Sequence, residues 1–123
     1  MTIYLNGQYM PIDEAKVSVL DRGFIFGDGV YEVIPVYSCK AFRLEEHLRR
    51  LQHSLDGIRL PNPHSNKEWT IIIEQLIERN AGEDQSLYLH ITRGAAKRDH
   101  AFPKPPVAPT VFMMSNPLLT PSA

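Results

Sequence analysis

Arg50 follows His47 by three residues, and a second arginine–histidine pair stands downstream, where Arg98 precedes His100 by two. In the first pair the spacing puts both side chains on one face of a helix. A guanidinium beside an imidazole suits a phosphate or a carboxylate, because arginine offers a two-pronged donor fork. In the second pair an extended loop would turn both side chains to one side, where two donors could converge on a carboxylate. Tyr31 and Glu32 close a glycine-rich stretch, Asp21–Glu32, with three glycines and two aspartates in twelve positions. A phenol there can donate to an anion, and Glu32 could brace an arginine such as Arg22. Each feature also fits a plainer role: a solvated helix face for Arg50, a solvated loop for Arg98 and His100, ordinary sheet packing for Tyr31 and Glu32.

Other chemistry finds less support. The five histidines show no metal-ligand spacing with Cys39 or with acids. No Ser-His-Asp arrangement is visible in local sequence. Lys16, Lys40, Lys67, Lys97 and Lys104 all lie outside apolar stretches that would lower an amine's pKa for Schiff-base work.

The elements that must position these residues read as hairpins, then two helices, then two further strands. Thr2–Leu5 and Gln8–Pro11 flank an Asn6-Gly7 turn. Val17–Leu20 alternates and leads into the glycine-rich stretch, which is expected to be a loop. Val30–Tyr37 is the longest strand candidate. Pro35 within it implies an edge position or a bulge, since proline cannot donate to a ladder. Leu44, Leu48, Leu51, Leu55 and Ile58 fall at helical spacing, and Ser65 with Glu68 opens a second helix as a capping box. Leu87–Arg93 and Thr110–Met114 are strands. Between them lies a long loop crowded with Pro103, Pro105, Pro106 and Pro109. The expected class is α+β, a mainly antiparallel sheet with two helices, over residues 1–116. Residues 117–123 are expected to start an interdomain linker.

A chain of 123 residues fits one domain. A net charge of -1 without a Lys/Arg run argues against nucleic acid or an anionic membrane as the main partner. No apolar run is long enough to span a bilayer, and the lone Cys39 excludes an internal disulfide. The expected compartment is the cytoplasm.

Four blocks, taken in order, resemble a known family: Asp21-Arg22-Gly23-Phe24, Gly27–Glu32, Leu44–Leu51 and Thr92-Arg93-Gly94. They are similar to the small N-terminal domain of class IV (fold type IV) pyridoxal-phosphate aminotransferases, nearest to the D-amino acid aminotransferases. The resemblance runs from about Ile3 to Pro117. It implies that Arg50 binds the phosphate of pyridoxal 5'-phosphate (PLP). It also implies that Tyr31, Arg98 and His100 hold the substrate α-carboxylate, the last two reaching into the other subunit of a homodimer. The implied reaction moves an amino group from a D-amino acid such as D-alanine to a 2-oxo acid such as 2-oxoglutarate. The family's cofactor-bearing lysine lies in a C-terminal domain, so the chain alone is expected to lack a catalytic residue, to be inactive and not to retain PLP. Branched-chain aminotransferases and aminodeoxychorismate lyases share the fold without the Arg98-Asp99-His100 arrangement. A stand-alone module that binds an anion or only dimerises is the alternative of a different kind. Ser38-Cys39, where relatives often carry Asn-Gly, and Pro35 depart from the family pattern.

Overall fold

Alternation along one long strand organises the molecule. In the computed structural model, which describes residues 1–118, strand β3 (Gly29–Tyr37) turns Glu32, Ile34 and Val36 inward and Tyr31, Val33 and Tyr37 outward. The inward set meets two helices, α2 (Leu44–Gly57) and α3 (Asn66–Glu78). The sheet also contains β1 (Thr2–Leu5), β2 (Gln8–Pro11), the two-residue β4 (Lys40–Ala41), β5 (Gln85–Thr92) and β6 (Thr110–Pro117). Strand order is β2-β1-β6-β5-β3-β4, with every pairing antiparallel. The expected α+β architecture is what the chain adopts.

The helices form where apolar spacing and capping agree. Ser65 accepts from the Glu68 amide while Glu68 accepts from the Ser65 amide, the capping box expected from the sequence. Leu48, Leu51 and Leu55 of α2 and Trp69, Ile73, Leu76 and Ile77 of α3 are buried against Ile34, Val36, Leu87, Leu89 and Ile91 of the sheet. The Trp69 indole N–H donates to Asn62 Oδ1 at 2.8 Å, so the ring's one polar group is satisfied within the core's rim.

Three expectations are corrected. The stretch after Asp21 is not all loop: α1 (Arg22–Phe26) is a short helix capped by the Asp21 carboxylate and ended by Gly27 at φ 65°. Glycine takes that left-handed conformation without strain. Val17–Leu20 forms no strand, and its four side chains are exposed, because no neighbouring strand is paired with it. The last strand runs past its expected end at Met114, and Ser115–Pro117 continues β6 and pairs with Gln85–Leu87 of β5. Residues 119–123 of the expected linker lie outside the described residues. Pro35 fits the expected place near an edge. Its carbonyl accepts from Phe42 N at 2.7 Å, on the side away from β5, so the missing N–H removes no bond to β5.

Burial and capping predict two different costs. Leu51→Ala, at a fully buried position, should lower unfolding free energy by about 2–5 kcal/mol. Ser65→Ala, which removes only the cap, should lower it by about 1 kcal/mol. Urea unfolding of the two variants beside the parent chain checks the order and the gap.

Candidate functional site

The alternation of β3 sends Glu32 under α2, where two side chains await it. Glu32 is 4% exposed, and a buried carboxylate needs donors for its oxygens. His47 Nδ1 donates to Oε1 at 2.8 Å. Arg50 donates from Nε to Oε2 at 3.0 Å and from Nη2 to Oε1 at 2.9 Å. The helical i, i+3 spacing of His47 and Arg50 therefore does place both on one face, with Glu32 between them and the sheet. The Arg50 side chain remains 65% exposed. Its Nη1 has no hydrogen-bond partner among the described residues and is the donor left for an outside anion. A cleft of about 340 Å³ lined by Arg43, Glu46, His47 and Arg50 lies over this cluster. Glu32 braces Arg50 and not Arg22, the partner suggested by sequence, because Arg22 precedes the strand and meets a different acid.

That acid is Asp28. Its Oδ2 accepts from Arg22 Nε and from Arg93 Nε, both at 2.8 Å. Both arginine side chains are buried, 5% and 8% exposed. Burial disfavours the Asp28 charge, but the hydrogen bonds and charges of Arg93 and Arg22 outweigh it and hold the carboxyl below its ordinary range. Arg93 also donates to the carbonyls of Ile58 and Arg59 where α2 ends, and its guanidinium stacks 3.7 Å from the Phe102 ring centre. Arg22 donates to the carbonyls of Asp99, His100 and Ala101. Gly94, at φ 100°, permits the turn beside this hub, and a Cβ there would strike the Ala108 carbonyl. Arg22, Asp28 and Arg93 stand within the sequence blocks, but sequence reasoning assigns them no joint role. Asp28 and Arg93 are 65 residues apart, and no local spacing reveals that pairing.

Arg98 and His100 are exposed and share one neighbour, Phe26. The Arg98 guanidinium lies 5.5 Å and the His100 ring 5.4 Å from the Phe26 ring centre. Tyr31 is on the outward face of β3, with its ring 6.0 Å from that of Tyr88. Tyr88 Oη and His90 Nδ1 are 3.2 Å apart on the same face, and burial pushes the His90 imidazole below its ordinary pKa. The structure thus sets Arg98 and His100 beside the same ring. Among the described residues no hydrogen bond, ion pair or ring contact links that pair to Tyr31 or to Arg50. A larger apolar cavity of about 540 Å³ lies elsewhere, lined by Leu60, Pro61, Phe102 and Pro106 among others, and contains none of the four.

The class IV amino-transferase family model matches residues 29–123, a span that contains Tyr31, the braced Arg50, Arg98 and His100. The chain belongs to the class IV aminotransferase family. This class IV chain is 42% identical over 109 residues to a D-alanine aminotransferase of Staphylococcus aureus (strain N315), covering 89% of the chain and 39% of that relative. Its fold matches an Escherichia coli branched-chain amino acid aminotransferase with a TM-score of 0.87 at 25% identity, over 95% of this chain and 40% of that one. It also matches a branched-chain amino acid aminotransferase of T.th. complexed with N-(5'-phosphopyridoxyl)-L-glutamate, with a TM-score of 0.85 at 27% identity, over 95% and 40% of the two chains. The class IV chain thus spans about two fifths of the length of these proteins. No helix among the described residues is long and apolar enough to cross a membrane.

Asp28 gives the class IV chain a definite response to acid. In the unfolded chain this carboxyl ionises near its ordinary value of 3.8, and in the fold at lower pH. Its contribution to stability is therefore complete above the ordinary value and is lost as pH falls through the folded value. Asp28→Asn leaves two buried guanidinium groups without their shared charge and should cost about 3–5 kcal/mol at neutral pH. It should also flatten the loss of stability on the acid side. Urea midpoints of parent and variant, from neutral pH down through the carboxylate range, measure both effects.

Proposed function

We propose that this chain is the N-terminal part, residues 1–116 and the start of a linker, of a PLP-dependent transaminase. Its substrates are a D-amino acid such as D-alanine and a 2-oxo acid such as 2-oxoglutarate. The observation that carries the reading is the Glu32 clamp on Arg50. It fixes a guanidinium by two of its nitrogens and leaves the third beside an exposed cleft. That donor set fits a phosphate, which accepts charge-assisted hydrogen bonds from arginine. The 42% identity to a D-alanine aminotransferase supports the choice of donor.

In this reading Arg50 holds the cofactor phosphate, and Glu32 holds Arg50 in place. Tyr31, Arg98 and His100 bind the substrate α-carboxylate. The separation of Arg98 and His100 from Tyr31 and Arg50 within one chain supports a site completed by two copies of the chain in a homodimer. PLP, when bound, serves as the electron sink for bond breaking at the substrate Cα. The cofactor-bearing lysine belongs to a second domain, and the five lysines of this chain take no part. The chain without that domain would neither turn over substrate nor retain PLP.

Two arginine substitutions in the full-length protein separate the two anion sites. Arg98→Ala removes a charge-assisted bond of roughly 1.5–3 kcal/mol, so substrate KM should rise about ten- to hundredfold with PLP retention unchanged. His100→Ala should cost less, since an imidazole lacks the two-pronged donor fork of a guanidinium. Arg50→Ala should show the reverse pattern, with weakened PLP retention. Substrate KM and PLP dissociation measured on all three decide it. An Arg98→Ala protein with the parent KM, or an Arg50→Ala protein that holds PLP as tightly as the parent, contradicts the assignment. The likeness to branched-chain enzymes supports one second reading, a transaminase for branched-chain L-amino acids.

A further inference from the structure

We infer that Arg22, fixed by Asp28, is a positioning residue that shapes the 98–101 loop and so presents Arg98 and His100 as one anion-binding pair. The inference rests on the carboxylate reading of those two residues and adds to it a part of the chain to which no role is assigned.

Three successive carbonyls, of Asp99, His100 and Ala101, point at one guanidinium, with Nη1 2.6 Å from Asp99 O and 3.4 Å from Ala101 O, and Nη2 3.4 Å from His100 O. A segment whose carbonyls all turn inward around a cation must send its side chains outward. Arg98 and His100 accordingly lie against Phe26, the last residue of α1, and the Arg22 guanidinium itself lies 4.7 Å from the centre of the same ring. The Asp99 side chain tightens the bend by accepting from the Ala101 amide at 3.2 Å. Among the described residues, the side chains of this loop make no hydrogen bond to the body of the fold. Its anchor is therefore Arg22.

Arg22 in turn is held on several sides. It is 4% exposed, its Nε is bound by Asp28, and its amide donates to the Gly94 carbonyl at 2.8 Å. Asp28 shares the same oxygen with Arg93, which is fastened to the end of α2. The tether thus ties the loop to the frame that also carries Arg50. Only arginine serves here. A lysine ammonium could meet Asp28 or the carbonyls, but it lacks the planar fork that reaches both. Two charged side chains on an exposed loop lose rotational freedom on closing around a carboxylate, and a loop already shaped reduces that cost.

The test uses the full-length holoenzyme with Arg22→Lys, Arg22→Ala and Arg98→Ala. The readouts are substrate KM and kcat, PLP dissociation, and the rate of trypsin cleavage after Lys97 and Arg98. Arg22→Lys should raise substrate KM by about tenfold and leave kcat and PLP dissociation within about twofold, because only the presentation of the pair is disturbed. Cleavage in the loop should quicken. Millimolar guanidinium should restore part of the lost affinity to Arg22→Ala, whose vacated site is enclosed between Asp28 and the loop carbonyls. Should Arg22→Ala fail to fold, Arg22→Lys, which keeps the charge beside Asp28, carries the test. A folded Arg22→Lys protein with parental loop cleavage overturns the tether. Faster cleavage with parental KM, while Arg98→Ala does raise KM, overturns its role at the site. Parental KM in Arg98→Ala is a different failure, that of the carboxylate reading itself, and cleavage then still decides whether Arg22 shapes the loop.

Discussion

One carboxylate oxygen, Asp28 Oδ2, is shared by two buried arginines, and much of the architecture around the proposed site hangs on that contact. A single acid between two guanidinium groups leaves an excess positive charge in a place with little water. The fold answers it with carbonyl oxygens: those of Ile58 and Arg59 for Arg93, and those of residues 99–101 for Arg22. Buried ion pairs of this kind add little net stability over an apolar packing, though breaking one by removing a partner is costly. Their effect here is geometric. The end of α2, the entry to β3 and the loop after β5 are fixed to one point.

The second constraint is the two-residue period of β3. Tyr31 and Glu32 are neighbours in sequence and therefore on opposite faces of the sheet. Glu32 goes to the helix side and braces Arg50 and His47, while Tyr31 goes to the outward side beside Tyr88 and His90. A cofactor phosphate at Arg50 and a substrate carboxylate at Tyr31 would therefore be approached around the edge of β3, which only the two-residue β4 partly covers. In that proposal the side of β3 left nearly open by the short β4 would give one strand access to both groups.

Much of this is legible in the sequence, for local reasons. Apolar spacing and the Ser65/Glu68 box mark α2 and α3, and the i, i+3 relation of His47 and Arg50 puts them on one face. Strict alternation marks β5, and the proline rule marks the edge character of β3 near Pro35. What stays hidden depends on tertiary contact. Glu32 finds partners 15 and 18 residues away, and only its burial under α2 selects them over Arg22. The helix over Arg22–Phe26 is a single turn or so, too short to show a period. Ser115–Pro117 carries proline and polar residues but is held as strand by β5, which extends alongside it. The Asp28 hub joins positions 22, 28 and 93, and nothing in the local pattern marks them as partners.

The handedness of the amino donor is the most direct test of the assignment to D-amino acid transamination. The full-length protein, loaded with PLP and supplied with 2-oxoglutarate, should form pyruvate from D-alanine and not from L-alanine. A preference for L-leucine or L-isoleucine over D-alanine would contradict that assignment and favour a branched-chain transaminase on the same fold.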